Sequence, residues 1–389
     1  MEEFFRVDAR QLESSDPELR QYLADLGALA IGGGWDVEKA LDVLGGDRKA
    51  ADRLEGEPLF VKRALGGSPS KFGSFVSDTD KILHALHDKV VGHYSEINAE
   101  QAATLYRPFL QGFLDWFSDV PELGRTLPVF TLNYDMAVES AASILEDPGD
   151  DYGGPPVRLV DGFGRARRVG RQWSRAPFDS YREDPEKANV VLVKLHGSVL
   201  WGRRPTSPEV IVELTPELGR NPGPFQTVIL YPTEERKEIQ QEPFHTGYRL
   251  LHNCLRQTHF LVVIGTSFRD AEVCEMIRDA MEDNPSLRLA SIGPSQTCER
   301  VAARIGVEPG KVAALKAKLS FPTHGEYDNP GHATDNGLMG GLRELARAAY
   351  GTKARPGWPR FGATNVTSGD GRWQKEAPDA AERSWPNGG

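Results

Sequence analysis

The stretch from Val190 to Trp201, reading VVLVKLHGSVLW, limits the possible folds more than any other part of the chain. Val190, Val191, Leu192, Val193 and Leu195 make a nearly continuous aliphatic run, the pattern of a strand buried on both faces of a parallel sheet. The run stops at His196-Gly197-Ser198, where a buried strand would give way to a loop carrying an imidazole. In open α/β sheets ligands lie beyond the carboxyl ends of the strands, so His196 falls where chemistry takes place in that architecture. It reads equally as a core histidine satisfied by a backbone carbonyl, and the stretch alone does not choose between the two.

Similar apolar runs recur downstream of residue 126, each followed by a helical pattern. Leu127 to Leu132 ends at Asn133-Tyr134-Asp135 and leads into a helix through Val138, Ala141, Ala142 and Leu145. Gln226 to Tyr231 is another run, and a helix around Tyr248, Leu251 and Cys254 precedes the clearest strand, Phe260 to Ile264. That strand breaks at Gly265-Thr266-Ser267 and continues into a helix with Val273, Ile277, Ala280 and Met281 on one face. Leu287 to Ile292 reads as the final strand, ending at Gly293-Pro294-Ser295 before a helix from Thr297 to Ile305 that Gly306 terminates. Strands alternating with helices predict an α/β fold, a doubly wound (Rossmann-like), mainly parallel sheet with helical insertions.

The remaining segments set the expected domain organisation. Residues 77–120 form a helical subdomain of two amphipathic helices, the second carrying an Asn98–Gln101 capping signal and Pro108 within it. His84 and His87 in the first share a helical spacing but lack a third metal ligand. Residues 147–187 form an irregular insert in which Arg158, Arg165, Arg167, Arg168, Arg171 and Arg175 form a basic cluster with only Asp161 as a nearby acid. A solvated loop is the favoured reading of that cluster, and a polyanion contact the sharper one. Residues 351–389 lack periodicity and read as a disordered tail, leaving 1–350 as one domain.

Composition narrows the function classes. Against 46 basic residues stand 56 acidic ones, a formal net charge of −10, which argues against a broad footprint for nucleic acid or anionic membrane. Cys254, Cys274 and Cys298 contain no Cys-x-x-Cys pair, so neither a zinc ribbon nor a disulfide framework is indicated. With no signal-peptide pattern and no apolar run near the ~20 residues that span a bilayer, the expectation is a cytoplasmic protein.

Three strand ends carry the polar groups: Thr131-Leu132-Asn133-Tyr134-Asp135, Lys194-Leu195-His196-Gly197-Ser198, and Ile264-Gly265-Thr266-Ser267-Phe268-Arg269-Asp270. At the third, Gly265 permits close backbone approach, while the following helix offers N–H groups and a positive dipole end suited to a phosphate; Ser267 with Asp270 also reads as a plain N-cap.

In this order the segments resemble the sirtuin-like (silent information regulator-like) family of NAD-consuming proteins. Its Thr-x-Asn-x-Asp strand end matches Thr131, Asn133 and Asp135, its His-Gly matches His196 and Gly197, and its Gly-Thr-Ser matches Gly265, Thr266 and Ser267. The likeness covers roughly residues 75–310, and its Asn-Tyr-Asp, Leu-His-Gly-Ser and Gly-Thr-Ser-Phe-x-Asp forms resemble the bacterial NAD-hydrolase branch associated with anti-phage defence. The resemblance implies NAD as substrate and no metal. It implies His196 and Asn133 as catalytic residues: His196 as proton acceptor, Asn133 holding a ribose hydroxyl or orienting water. Thr131, Asp135, Gly197, Gly265, Thr266, Ser267 and Gly293 would contact NAD, with Asp135 ordering its loop or binding ribose. The implied partners are NAD or ADP-ribose, and a defence-system protein or a second copy of the chain. A non-catalytic NAD- or ADP-ribose-binding or protein-interaction module is the alternative.

Two departures bear on this. The four-cysteine zinc module of protein-deacylating sirtuins is missing, since only Cys254 lies between His196 and Gly265, which ranks NAD hydrolysis above deacylation. The family's opening strand and Gly-Ala-Gly-x-Ser pyrophosphate loop also have no match; Ile31-Gly32-Gly33-Gly34 is the nearest stretch. The expectation is that the chain begins downstream of that strand and that its NAD affinity is correspondingly weak or absent.

Overall fold

The computed structural model describes residues 91–92, 94, 97–119, 126–147, 153–164, 171–180, 188–215, 224–230, 239–293 and 296–316. The expectations for His84, His87, the Gly32–Gly34 stretch, Pro294, Ser295 and the 351–389 tail lie outside them. The described residues confirm a mixed α/β protein with parallel sheets, divided into two compact units.

In one unit, helix α1 (Ala99–Asp119) begins where the Asn98 side chain accepts the Gln101 N–H at 3.0 Å, the cap read from the sequence. Pro108 lies within this helix. Strand β1 (Leu127–Thr131) leads into α2 (Ala137–Leu145), and the small faces of the two helices meet: Ala102, Ala103, Leu110 and Leu114 of α1 pack with Ala137, Ala141, Ala142 and Leu145 of α2. Strand β3 (Val190–Lys194) pairs in parallel with β1 on one side and β2 (Leu159–Val160) on the other, so it is the central strand of its sheet and every residue of it is buried. The insert expected to be irregular thus contributes β2 and a short helix α3 (Ala176–Ser180). Two residues of strand carry too little periodicity to be read from sequence.

The same unit contains α4 (Phe244–Gln257), β7 (Phe260–Ile264), α5 (Ala271–Asp283), β8 (Arg288–Gly293), α6 (Cys298–Ile305) and β9 (Val312–Lys316). Their sheet is parallel, in the order β7-β8-β9, so Leu287–Ile292 is not the last strand. The sequence VAALK of β9 is short, with two alanines in five residues, which hides its strand character. Gly306 closes α6 in the left-handed conformation, φ 84°, as the glycine stop predicted.

The other unit holds an antiparallel sheet in the order β5-β4-β6: β4 (Gly197–Arg204), β5 (Ser207–Glu213) and β6 (Gln226–Ile229). Here the sequence reading needs correction. The run from Val190 does not end in an open loop at His196; Leu195 and His196 form a bend, and a second strand starts at Gly197. Val199, Leu200 and Trp201, which lie beyond the expected strand end, are the buried centre of that second strand.

Candidate functional site

At the carboxyl end of β1, the Thr131 hydroxyl accepts the Asn133 backbone N–H at 3.0 Å. This tight turn stops the ladder and leaves Asn133 exposed, while Tyr134 and Asp135 turn inward and are buried. Asp135 Oδ1 accepts the Ala137 N–H at 2.8 Å and so satisfies a donor in the first turn of α2. Burial pushes its carboxyl above the ordinary value of 3.8; the nearby Lys194 ammonium and the Ala137 N–H pull the other way, and Glu139 adds to the rise.

Two further charges complete this end of the sheet. Lys194, the last residue of β3 and the register partner of Thr131, donates its Nζ to the Asp135 carbonyl oxygen. It also lies 3.0 Å from Glu139 Oε1 on α2, and both side chains are buried. Asp135 Oδ2 and Glu139 Oε2 are buried without a hydrogen-bond partner. Sequence reasoning passed over this pair, although a lysine inside an aliphatic run and a glutamate on the apolar face of α2 were its visible signals.

The second strand end is that of β7. Gly265 adopts φ +69°, donates its N–H to the Ile292 carbonyl at 2.9 Å and is exposed; a Cβ built there would meet nothing within 4 Å. Backbone can therefore be approached closely at this point. The Thr266 hydroxyl accepts the Phe268 N–H at 3.2 Å, and Phe268, buried with φ +54°, anchors the loop. Asp270 caps α5 by accepting the Val273 N–H at 3.1 Å. The positive end of α5, expected to face a phosphate, thus already has a carboxylate of its own chain upon it.

Gln296 and Arg304, also unanticipated, clasp the loop from α6 and its approach. Gln296 Nε2 donates to the Thr266 carbonyl at 2.8 Å and Arg304 Nη1 to the Ser267 carbonyl at 3.1 Å. Gly293, at the end of β8, has Gln296 Cγ 2.9 Å from where its Cβ would stand. Pairing of Ile264 with Ile292 brings Gly265, Thr266 and Gly293 together.

His196 and Gly197 belong to the other unit. His196 is buried at 2% exposure, and its carbonyl accepts the Leu230 N–H at 2.8 Å. Gly197 has φ +79°, pairs with Ile229 and would place a Cβ 2.0 Å from the Val228 carbonyl oxygen, so strand pairing by itself demands glycine here. The sequence-predicted residues therefore fall into three groups: Thr131, Asn133 and Asp135; Gly265, Thr266, Ser267 and Gly293; and His196 with Gly197.

Among the described residues no three His, Cys, Asp or Glu side chains gather as metal ligands. None of their helices is long and apolar enough to cross a membrane. Residues 128–308 match the family model described as SIR2-like domain, a span that contains every site residue named above. No curated protein matches the chain.

Proposed function

We propose that the SIR2-like segment binds NAD and cleaves its nicotinamide–ribose bond, as an NAD glycohydrolase of bacterial anti-phage defence. SIR2-like domains are NAD-related, and the observation that carries the reading is the match over residues 128–308, which spans both exposed strand-end loops, at Asn133 and at Gly265–Ser267. Defence and hydrolysis rest on the Asn-Tyr-Asp, Leu-His-Gly-Ser and Gly-Thr-Ser-Phe-x-Asp forms of the motifs. The proposed domain runs from 1 to 350.

The chemistry suits these residue types. Loss of nicotinamide passes through an oxocarbenium-like state with an already good leaving group, so orientation contributes more than strong acid catalysis. The open surroundings of Gly265 fit a ribose or phosphate lying against the backbone. In this reading the Asn133 carboxamide holds a ribose hydroxyl or orients water, and His196 accepts the proton. His196 is 2% exposed. The same burial favours the second reading, a module that binds NAD or ADP-ribose without turnover.

Nicotinamide release by the full chain separates the two. The expected outcome is turnover that falls about 100-fold or more in His196→Ala and in Asn133→Ala, the usual scale for losing a positioned proton acceptor. Saturable ADP-ribose binding with no nicotinamide would establish the binding module, and undiminished release from His196→Ala would refute its assignment as base.

A further inference from the structure

We infer that Lys194, held by its buried ion pair with Glu139, is a positioning residue that clamps the Asn133 loop at both of its ends. The inference rests on the NAD reading above. Lys194 stands at the end of a fully buried strand, where an ammonium is costly unless its donors are taken up. Its donors go to Glu139 Oε1, 3.0 Å away, and to the carbonyl of Asp135.

Through its backbone, Lys194 is the ladder partner of Thr131, and the next residue, Leu195, donates its N–H to the Thr131 carbonyl at 2.9 Å. The same residue thus reaches the loop at Thr131 by its main chain and at Asp135 by its side chain. Asn133 is the midpoint between those two attachments and the exposed residue of the five. A polar side chain presented to solvent from a loop pinned on either side is how a scaffold keeps an orienting group within the narrow tolerance that catalysis needs. Glu139 fixes where the ammonium sits, since α2 is itself packed against α1 through Ala137, Ala141, Ala142 and Leu145.

The test uses the full chain with Lys194→Met/Glu139→Gln, which removes both charges of the pair, beside Lys194→Arg. Peptide-resolved hydrogen exchange is the first readout: residues 131–137 should exchange at least about 10-fold faster in the double variant while β8 and β4 keep their wild-type rates. Nicotinamide release from NAD is the second: kcat should fall about 10- to 100-fold with KM changed by less than about 3-fold, and Lys194→Arg should recover most of it. Wild-type exchange over 131–137, or an increase spread evenly over the molecule, would overturn the inference. So would a loss confined to KM. Should wild type release no nicotinamide, the NAD-cleavage reading fails by itself while the exchange arm still decides whether the clamp exists.

Discussion

Gly197 and Gly265 both have positive φ, +79° and +69°, yet alanine should act very differently at the two positions. A side chain in the left-handed region costs about 1–2 kcal/mol, and the loss of freedom in the unfolded chain returns about 0.4–1 kcal/mol. At Gly265 nothing lies within 4 Å of a Cβ, so Gly265→Ala should cost only about 1 kcal/mol. At Gly197 the Cβ would stand 2.0 Å from the Val228 oxygen and 3.3 Å from the Ile229 Cα, both backbone atoms of the paired strand. Relief requires β6 to retreat from β4 where Gly197 meets Ile229 and Ser198 meets Val228, which strains the Leu230 N–H to His196 carbonyl bond of 2.8 Å as well. Overpacking of this kind adds about 1–3 kcal/mol and a lost hydrogen bond about 0.5–1.5 kcal/mol. Gly197→Ala should therefore cost about 3 kcal/mol or more, seen as exchange about 100-fold faster across 197–204 and 226–230. Rates within about 3-fold of wild type over those peptides, or a larger effect from Gly265→Ala, would refute the reasoning.

Asp270 should behave as an N-cap: Asp270→Ala is expected to lower stability by about 1 kcal/mol in urea unfolding, with Asp270→Asn much closer to wild type. Equal midpoints for wild type and alanine would contradict that assignment. At Asp135, burial holds the folded-state carboxyl above its ordinary 3.8, so between those two values the folded chain binds the extra proton. The stabilisation it confers is complete below 3.8 and is lost as pH rises through the folded value. Asp135→Asn should remove that fall, so the difference in unfolding free energy between wild type and variant should change across pH 3.8 and above. A difference that stays constant with pH would exclude a raised carboxyl.

The strands that sequence located best, Val190–Lys194, Phe260–Ile264 and Leu127–Thr131, are runs whose aliphatic density has no helical counterpart. Caps at Asn98 and Gly306 were also legible, because each depends on residues within one turn. What escaped depends on partners far along the chain. Strand β2 owes its existence to pairing with β3, and the split of VVLVKLHGSVLW into two strands depends on β6, some thirty residues on, taking up Gly197 in an antiparallel ladder. Local pattern cannot distinguish a strand that ends from one that bends and joins a second sheet. The Lys194–Glu139 pair likewise joins residues 55 positions apart, and only their presence among apolar neighbours marked them.

Once placed, the polar residues of the motifs separate by how their atoms are used. The Thr131 and Thr266 hydroxyls each accept a backbone N–H two residues on, Asp135 and Asp270 each accept one in the first turn of a helix, and Gly197 is required by strand pairing. These interactions build the loops. Asn133, Gly265 and Ser267 are instead exposed at the carboxyl ends of parallel strands, where a ligand of an α/β sheet lies. A motif of this kind is therefore mostly a recipe for backbone shape, with few of its residues left to touch a substrate. If the proposed NAD cleavage holds, substitutions at Thr131, Asp135 or Thr266 should lower it by loosening a loop, and those at Asn133 by removing a contact, so only the former should also raise hydrogen exchange in the flanking amides.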